Sequence, residues 1–128
     1  MSVEKVKSKS IIAAKAYSFA LEVIKIYKQL VNERKEYVLS KQLLRSGTSI
    51  GANINEAIAG QSKRDFVYKL NIALKEARET NYWLNLLKDS EYINLVEFES
   101  LSKKCNEIIK MLTSIIMTTK ERYFNNNS

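Results

Sequence analysis

Not one proline interrupts these 128 residues, and glycine occurs only three times. Average usage would supply roughly six prolines and nine glycines in a chain of this length. Proline breaks helices and glycine loosens them, whereas turn-rich β-sandwiches and barrels depend on both. The chain is therefore read as all-α, a few long helices joined by short links. Its length is that of one domain with one hydrophobic core, here residues 1–124, which excludes most multidomain enzymes. Hydrophobic residues make up 45% and charged residues 27%. That is enough apolar surface for a core, so wholesale disorder is excluded as well.

Periodicity places the helices. In the first, at about 10–32, Ile12, Ala16, Phe19, Val23, Ile26 and Leu30 recur at alternating fours and threes, the spacing of one helical face. Ala13, Tyr17, Ala20, Ile24, Tyr27 and Val31 form a second series beside it, so the apolar sector needs more cover than one neighbour gives. Ser8 or Ser10 is placed as its cap, and Asn32-Glu33-Arg34-Lys35 as its end. The second helix, about 38–59, carries the stripe Leu44, Gly47, Gly51, Ile54 and Ile58. It is expected to stop at Gly60 in a left-handed conformation. Glycines inside a helix cost about 1 kcal/mol each relative to alanine, so two on one line point to a close backbone neighbour or to a kink.

The third helix, about 63–89, opens at Ser62 with Asp65 three residues on, and its stripe is Phe66, Leu70, Ala73, Ala77, Leu84 and Leu87. Its central alanines match the glycines of the second helix, so these two helices are expected to cross there. The fourth, about 95–123, opens at Asn94 with Glu97 and carries Phe98, Leu101, Cys105, Ile108, Leu112 and Ile115. Residues 125–128 are read as a frayed tail. Short links force antiparallel neighbours, and the expected architecture is an antiparallel up-down-up-down four-helix bundle.

The net charge is +7, from 21 Lys and Arg against 14 Asp and Glu. Such an excess favours polyanionic partners, nucleic acid or an anionic membrane surface. No apolar run approaches the ~18 residues of a membrane span, and one cysteine within an apolar pattern fits a reducing compartment. A soluble, cytoplasmic chain with no membrane contact is expected. The absence of histidine removes the commonest general base and the commonest nitrogen ligand of metals, so no metal site is expected. Gly47-x-x-x-Gly51 lacks the Gly-Lys-Ser/Thr of a phosphate loop. No catalytic residue and no cofactor are assigned, and the chain is read as a non-enzyme. The carboxylates Glu76 and Glu79 are expected to pair with adjacent Lys75 and Arg78 on a solvated face.

Two groups of residues are candidates for function. Arg64, Tyr68, Asn71, Lys75, Arg78 and Tyr82 follow fours and threes along the third helix, interleaving cations with aromatics. Such a stripe pairs phosphates and stacks unpaired bases, or else is a solvated face whose tyrosines close the rim of the core. Lys15, Lys25 and Lys28 of the first helix are expected to extend the same positive surface. The second group is Gly47, Gly51, Asn53 and Glu56 of the small, polar second helix, with Tyr17, Ile24 and Tyr27 of the first. Helix packing, an oligomer interface and a ligand surface all remain open for it.

The run Leu44-Arg45-Ser46-Gly47-Thr48-Ser49-Ile50-Gly51-Ala52-Asn53-Ile54-Asn55-Glu56-Ala57 resembles the signature of the four-helix-bundle family named for 23S rRNA intervening sequences. A second likeness lies in Ile72-Ala73-Leu74-Lys75-Glu76-Ala77-Arg78-Glu79-Thr80, with Tyr82-Trp83-Leu84 following. Many members of that family have Ala where this chain has Gly47, and Glu-Gly where it has Glu56-Ala57, so it resembles a distinct branch. Genes of the family occur in segments inserted in bacterial 23S rRNA genes and elsewhere in genomes. The family is similar to the accessory protein of diversity-generating retroelements, a basic pentameric barrel of four-helix protomers that binds nucleic acid and the reverse transcriptase. The resemblance implies a homo-oligomer, a pentamer, with RNA as ligand. The competing expectation is a scaffold for a protein partner, its charge serving solubility.

Overall fold

The computed structural model describes residues 3–124, with side chains at residue 9 and from residue 11 onward. The expected frayed tail, 125–128, lies outside the described residues. Four helices follow one another, α1 (Val3–Asn32), α2 (Leu39–Ala59), α3 (Lys63–Asp89) and α4 (Leu95–Tyr123). Cross-helix pairs fix the directions. Lys15 meets Glu107 and Glu22 meets Lys104, Arg45 meets Glu79 and Glu56 meets Lys69, so α1 runs against α4 and α2 against α3. Each helix packs on the two beside it in a square, while among the described residues the diagonal pairs α1/α3 and α2/α4 make no close backbone approach. The fold is all-α, an up-down four-helix arrangement.

The expected stripes of α1 and α3 are the core: Ile12, Ala16, Phe19, Val23, Ile26 and Leu30 are buried, as are Phe66, Leu70, Ala73, Ala77, Leu84 and Leu87. α1 begins earlier than expected, at Val3, with Ser8 and Ser10 inside the helix rather than capping it. The apolar repeat starts at Ile12, and charged residues ahead of it continue a helix without contributing to that repeat. On α4 the buried line runs Leu101, Cys105, Ile108, Leu112 and then Ile116, with Phe98 and Ile115 packed at its margin.

α2 departs most from expectation. Its buried line is Ser40, Leu43, Ser46, Gly47, Ile50, Ile54 and Ala57, while Leu44 is half-buried and Ile58 exposed. The glycines mark the edge of α2 that faces α1, not α3. A Cβ on Gly47 would stand 2.9 Å from both γ carbons of Val23, and one on Gly51 would stand 3.5 Å from the Cβ of Ala16 and 3.7 Å from its backbone. Small residues do let backbones approach here, but the neighbour is α1. At the α2/α3 centre, Thr80 Oγ1 donates to Ser46 Oγ at 3.0 Å in full burial. Ala77 instead admits α4, its carbonyl accepting from Cys105 Sγ at 3.2 Å.

The links hold further corrections. Gly60 is extended (φ −66°, ψ 158°) rather than left-handed, and its N–H donates to the Ala57 carbonyl at 3.2 Å. Two residues later Ser62 caps α3 by accepting from the Asp65 N–H at 3.0 Å, so the chain must leave α2 extended to make that turn. The left-handed positions fall instead on Lys35 (φ 55°) and Glu91 (φ 66°), one in each link at the opposite end. Asn94 and Glu97 form the full reciprocal capping box, at 2.8 and 3.0 Å. α2 has no side-chain cap from Val38. The buried Glu36 carboxylate does that work, accepting from the N–H groups of Val38, Leu39 and Ser40 at 3.1, 3.1 and 2.7 Å.

Candidate nucleic-acid interface

With its inner face spent on the core, α3 presents Arg64, Tyr68, Asn71, Lys75, Arg78 and Tyr82 outward, all six exposed. Tyr68 and Tyr82 are 62% and 58% accessible, too open to be closing the rim of the core. Among the described residues Arg64, Lys75 and Arg78 enter no ion pair. Asn71 turns its amide back on its own helix, donating to the Val67 carbonyl at 3.0 Å.

The acids beside this stripe are held elsewhere. Arg45 of α2 reaches over α3 to bond Glu76 (3.1 Å) and Glu79, in place of the expected pairing with Lys75 and Arg78. The second Glu79 contact comes from Trp83, whose Nε1 donates to Oε2 at 2.8 Å. Trp83 in turn sets its ring edge-on to Tyr82, centroids 5.1 Å apart and planes at 71°. One guanidinium thereby engages both carboxylates next to Lys75 and Arg78 and offsets one of their two negative charges, so that Arg45, Lys75 and Arg78 together outweigh Glu76 and Glu79 by one positive charge. The pair Ser46–Thr80 lies beneath this clamp, so part of the polar segment of α2 is a buried hydrogen-bond network.

Lys15, Lys25 and Lys28 do not extend the α3 stripe. They stand on α1, the corner diagonal to α3, and Lys15 is engaged with Glu107 of α4 at 3.5 Å. Of the two helices that adjoin α3, α2 spends Arg45 on Glu76 and Glu79, while on α4 Lys103 and Lys110 are exposed and, among the described residues, outside the ion pairs. Their signal in the sequence is a seven-residue spacing on the polar side of the α4 repeat. Asn81 Nδ2 donates to Asn106 Oδ1 at 2.8 Å and sets the register between the two helices. Arg78 lies one turn before Asn81 and Lys110 one turn after Asn106, and because the helices are antiparallel both fall on the same side of that bond at about the same level.

The second candidate group divides. Gly47 and Gly51 are taken up by packing on α1, Asn53 donates to the Ser49 carbonyl at 2.8 Å, and Glu56 pairs with Lys69 of α3 at 3.3 Å. Tyr17 is 67% exposed, with Leu21 exposed and Ile24 and Tyr27 half-buried along the same helix. Burial pushes the Cys105 thiol up to about 12 and makes it a packing group rather than a nucleophile. Among the described residues no three His, Cys, Asp or Glu side chains stand together as a metal site. Among them, too, no helix is long and apolar enough to cross a membrane.

The Arg45 clamp on Glu76 and Glu79, the Ser46–Thr80 pair and the Tyr82–Trp83 contact fall in residues 44–57 and 72–84, the segments of the noted likeness. The sequence model of the family described as "23S rRNA-intervening sequence protein" matches residues 8–114. The chain belongs to that family. A solved structure, a protein of unknown function from the S23 ribosomal protein family of Bacteroides thetaiotaomicron, is 55% identical, with 86% of this chain and 98% of that chain covered and a TM-score of 0.85. No curated protein matches the chain. The family match takes in α2 and α3 whole and most of α1 and α4, ending within α4 at residue 114.

Proposed function

We propose that this member of the family is a non-enzymatic, cytoplasmic homo-oligomer, a pentamer, that binds RNA through the outward face of α3. The observation that carries the reading is the stripe itself. Arg64, Lys75 and Arg78 stand exposed and outside any ion pair among the described residues, interleaved with open tyrosines, while Arg45 ties up the neighbouring acids. Cations so placed meet phosphates without first breaking a salt bridge, and the net charge of +7 draws polyanions toward them. The exposed Tyr17 and Leu21 of α1 support self-association, since a second copy would cover them.

The test is a salt titration of labelled RNA with the Arg64→Glu, Lys75→Glu, Arg78→Glu triple variant beside the parent. Three phosphate contacts on a single strand give a slope of about −2 in log K against log salt, and the variant abolishes binding while keeping its helicity. Unchanged binding by the variant refutes the stripe. Multi-angle light scattering tests the oligomer, and a clean monomer at micromolar concentration refutes it. The second reading, a protein-binding scaffold, is favoured by the same apolar residues of α1 and is left standing if RNA fails to bind at low salt.

A further inference from the structure

We infer that the stripe, given the RNA-binding reading on which this rests, takes an unpaired strand laid along the α3/α4 face, with Tyr82 as a braced stacking platform and Lys110 as the far bank. A duplex surface calls for cations alone, because paired bases are already stacked on one another and offer no face to a side chain. Here tyrosines alternate with the cations on one helical line. Tyr68 and Tyr82 are 14 positions apart, about 21 Å along the helix. That is the length of about six nucleotides at the ~3.4 Å stacked repeat. Lys75 and Arg78 lie between the two rings, where the phosphates of such a strand would run.

The Tyr82 ring is also held in place. Arg45 fixes Glu79, Glu79 accepts from Trp83 Nε1, and Trp83 sets its ring against Tyr82. A ring with its orientation already restricted loses less freedom when a base stacks on it. Trp83 and Arg45 are thus positioning residues, and Tyr82 is the contact. On the other side of the strand stands Lys110, level with Arg78 across the Asn81–Asn106 bond, so the backbone is flanked by cations of both helices. This replaces the α1 lysines with an α4 lysine as the extension of the positive surface.

The arrangement comes with its own reporter, because Trp83 is the only tryptophan of the chain. The experiment titrates the full chain with an unstructured RNA 12-mer, the same sequence as single-stranded DNA, and a blunt RNA duplex of equal length, reading Trp83 emission and the anisotropy of labelled strands. The expected result is that the single strands bind about tenfold more tightly than the duplex and change Trp83 emission. Tyr82→Leu should weaken single-strand binding about tenfold, the loss of one stacked base, and leave duplex binding unchanged. Lys110→Glu should weaken single-strand binding as well. Equal affinity for duplex and single strand with a neutral Tyr82→Leu overturns the inference and leaves the broader RNA-binding reading intact. Tighter binding of the DNA strand than of the RNA, still lost in Tyr82→Leu, supports the stacking platform and refutes the preference for RNA. No binding of any strand at low salt removes both.

Discussion

Alanine at Gly47 and alanine at Gly51 should move stability in opposite directions, though the two positions sit one turn apart on one helix. Replacing glycine by alanine inside a helix gains about 1 kcal/mol of intrinsic propensity at either site. What differs is the space. At Gly51 the new methyl would find its nearest neighbour, Ala16 Cβ, at 3.5 Å, ordinary contact, so the gain stands. At Gly47 it would stand 2.9 Å from Cγ1 and Cγ2 of Val23 and 3.3 Å from its Cβ. Valine in a helix holds essentially one rotamer, and this one is fully buried, so it cannot swing aside and α1 must move. Overpacking of this kind costs about 1–3 kcal/mol, which leaves Gly47→Ala about 1 kcal/mol below the parent and Gly51→Ala about 1 kcal/mol above it. For a chain of this size each shift is roughly 4 °C in Tm. Urea and thermal unfolding followed at 222 nm, at one protein concentration so that self-association is held constant, measure both. In a Val23→Ala background Gly47→Ala should recover its lost stability. Equal effects of the two alanines, or no coupling to Val23, would refute the assignment of the glycines to the α1 contact.

Glu36→Gln should lower stability by about 1 kcal/mol at pH 7, since it loses a charged acceptor for three helix N–H groups. Burial pushes the Glu36 carboxyl up, but the bonds from Ser40, Leu39 and Val38 outweigh it and hold the group below its ordinary value. Its contribution is therefore present above the ordinary carboxylate range and lost as pH falls through the lowered value, so urea midpoints of parent and variant should converge as the solution is acidified below that range. Arg45→Met should cost no more than about 1 kcal/mol, because the guanidinium is half exposed, yet weaken RNA binding by leaving Glu76 and Glu79 uncompensated beside Lys75 and Arg78. Parental affinity in that variant would sink the electrostatic argument. Cys105, its thiol pushed up to about 12 and buried, should resist a thiol-specific disulfide reagent at pH 8 and react once urea unfolds the chain.

The helices were legible because their signal is local. Apolar residues at threes and fours, Ser62 and Asn94 at caps, and the absence of proline each act within a turn or two, and the ends of α3 and α4 follow from them. What the sequence does not carry is which neighbour each face meets. The glycines of α2 demand a close partner, for which the sequence points to the alanines of α3, whereas packing places Val23 and Ala16 of α1 there. The α2 stripe was read through Leu44 and Ile58 because apolarity marks it, whereas the buried line includes Ser40 and Ser46, polar residues satisfied by hydrogen bonds within the fold. Glu36 was missed since caps are sought among Ser, Thr, Asp and Asn immediately before a helix, and its carboxylate reaches forward across the link. Local charge pairing was also the wrong prior for Glu76 and Glu79, whose partner Arg45 is more than thirty residues away.

The segment 72–80 separates structural from free residues sharply. Ala73, Leu74, Ala77 and Thr80 are buried, Ile72 is half-buried, and Glu76 and Glu79 are bound to Arg45. Lys75 and Arg78 alone have no duty in the fold. A lysine and an arginine held exposed, next to acids whose charge is partly offset from another helix, gain nothing for stability from that arrangement, since breaking the clamp would offer them nearer partners. What the clamp does change is the field above α3, and it does so at the place where it also orients Trp83 against Tyr82. A salt bridge that is of little value to stability is then of most value to binding, which makes Arg45→Met the variant in which folding and affinity should part company.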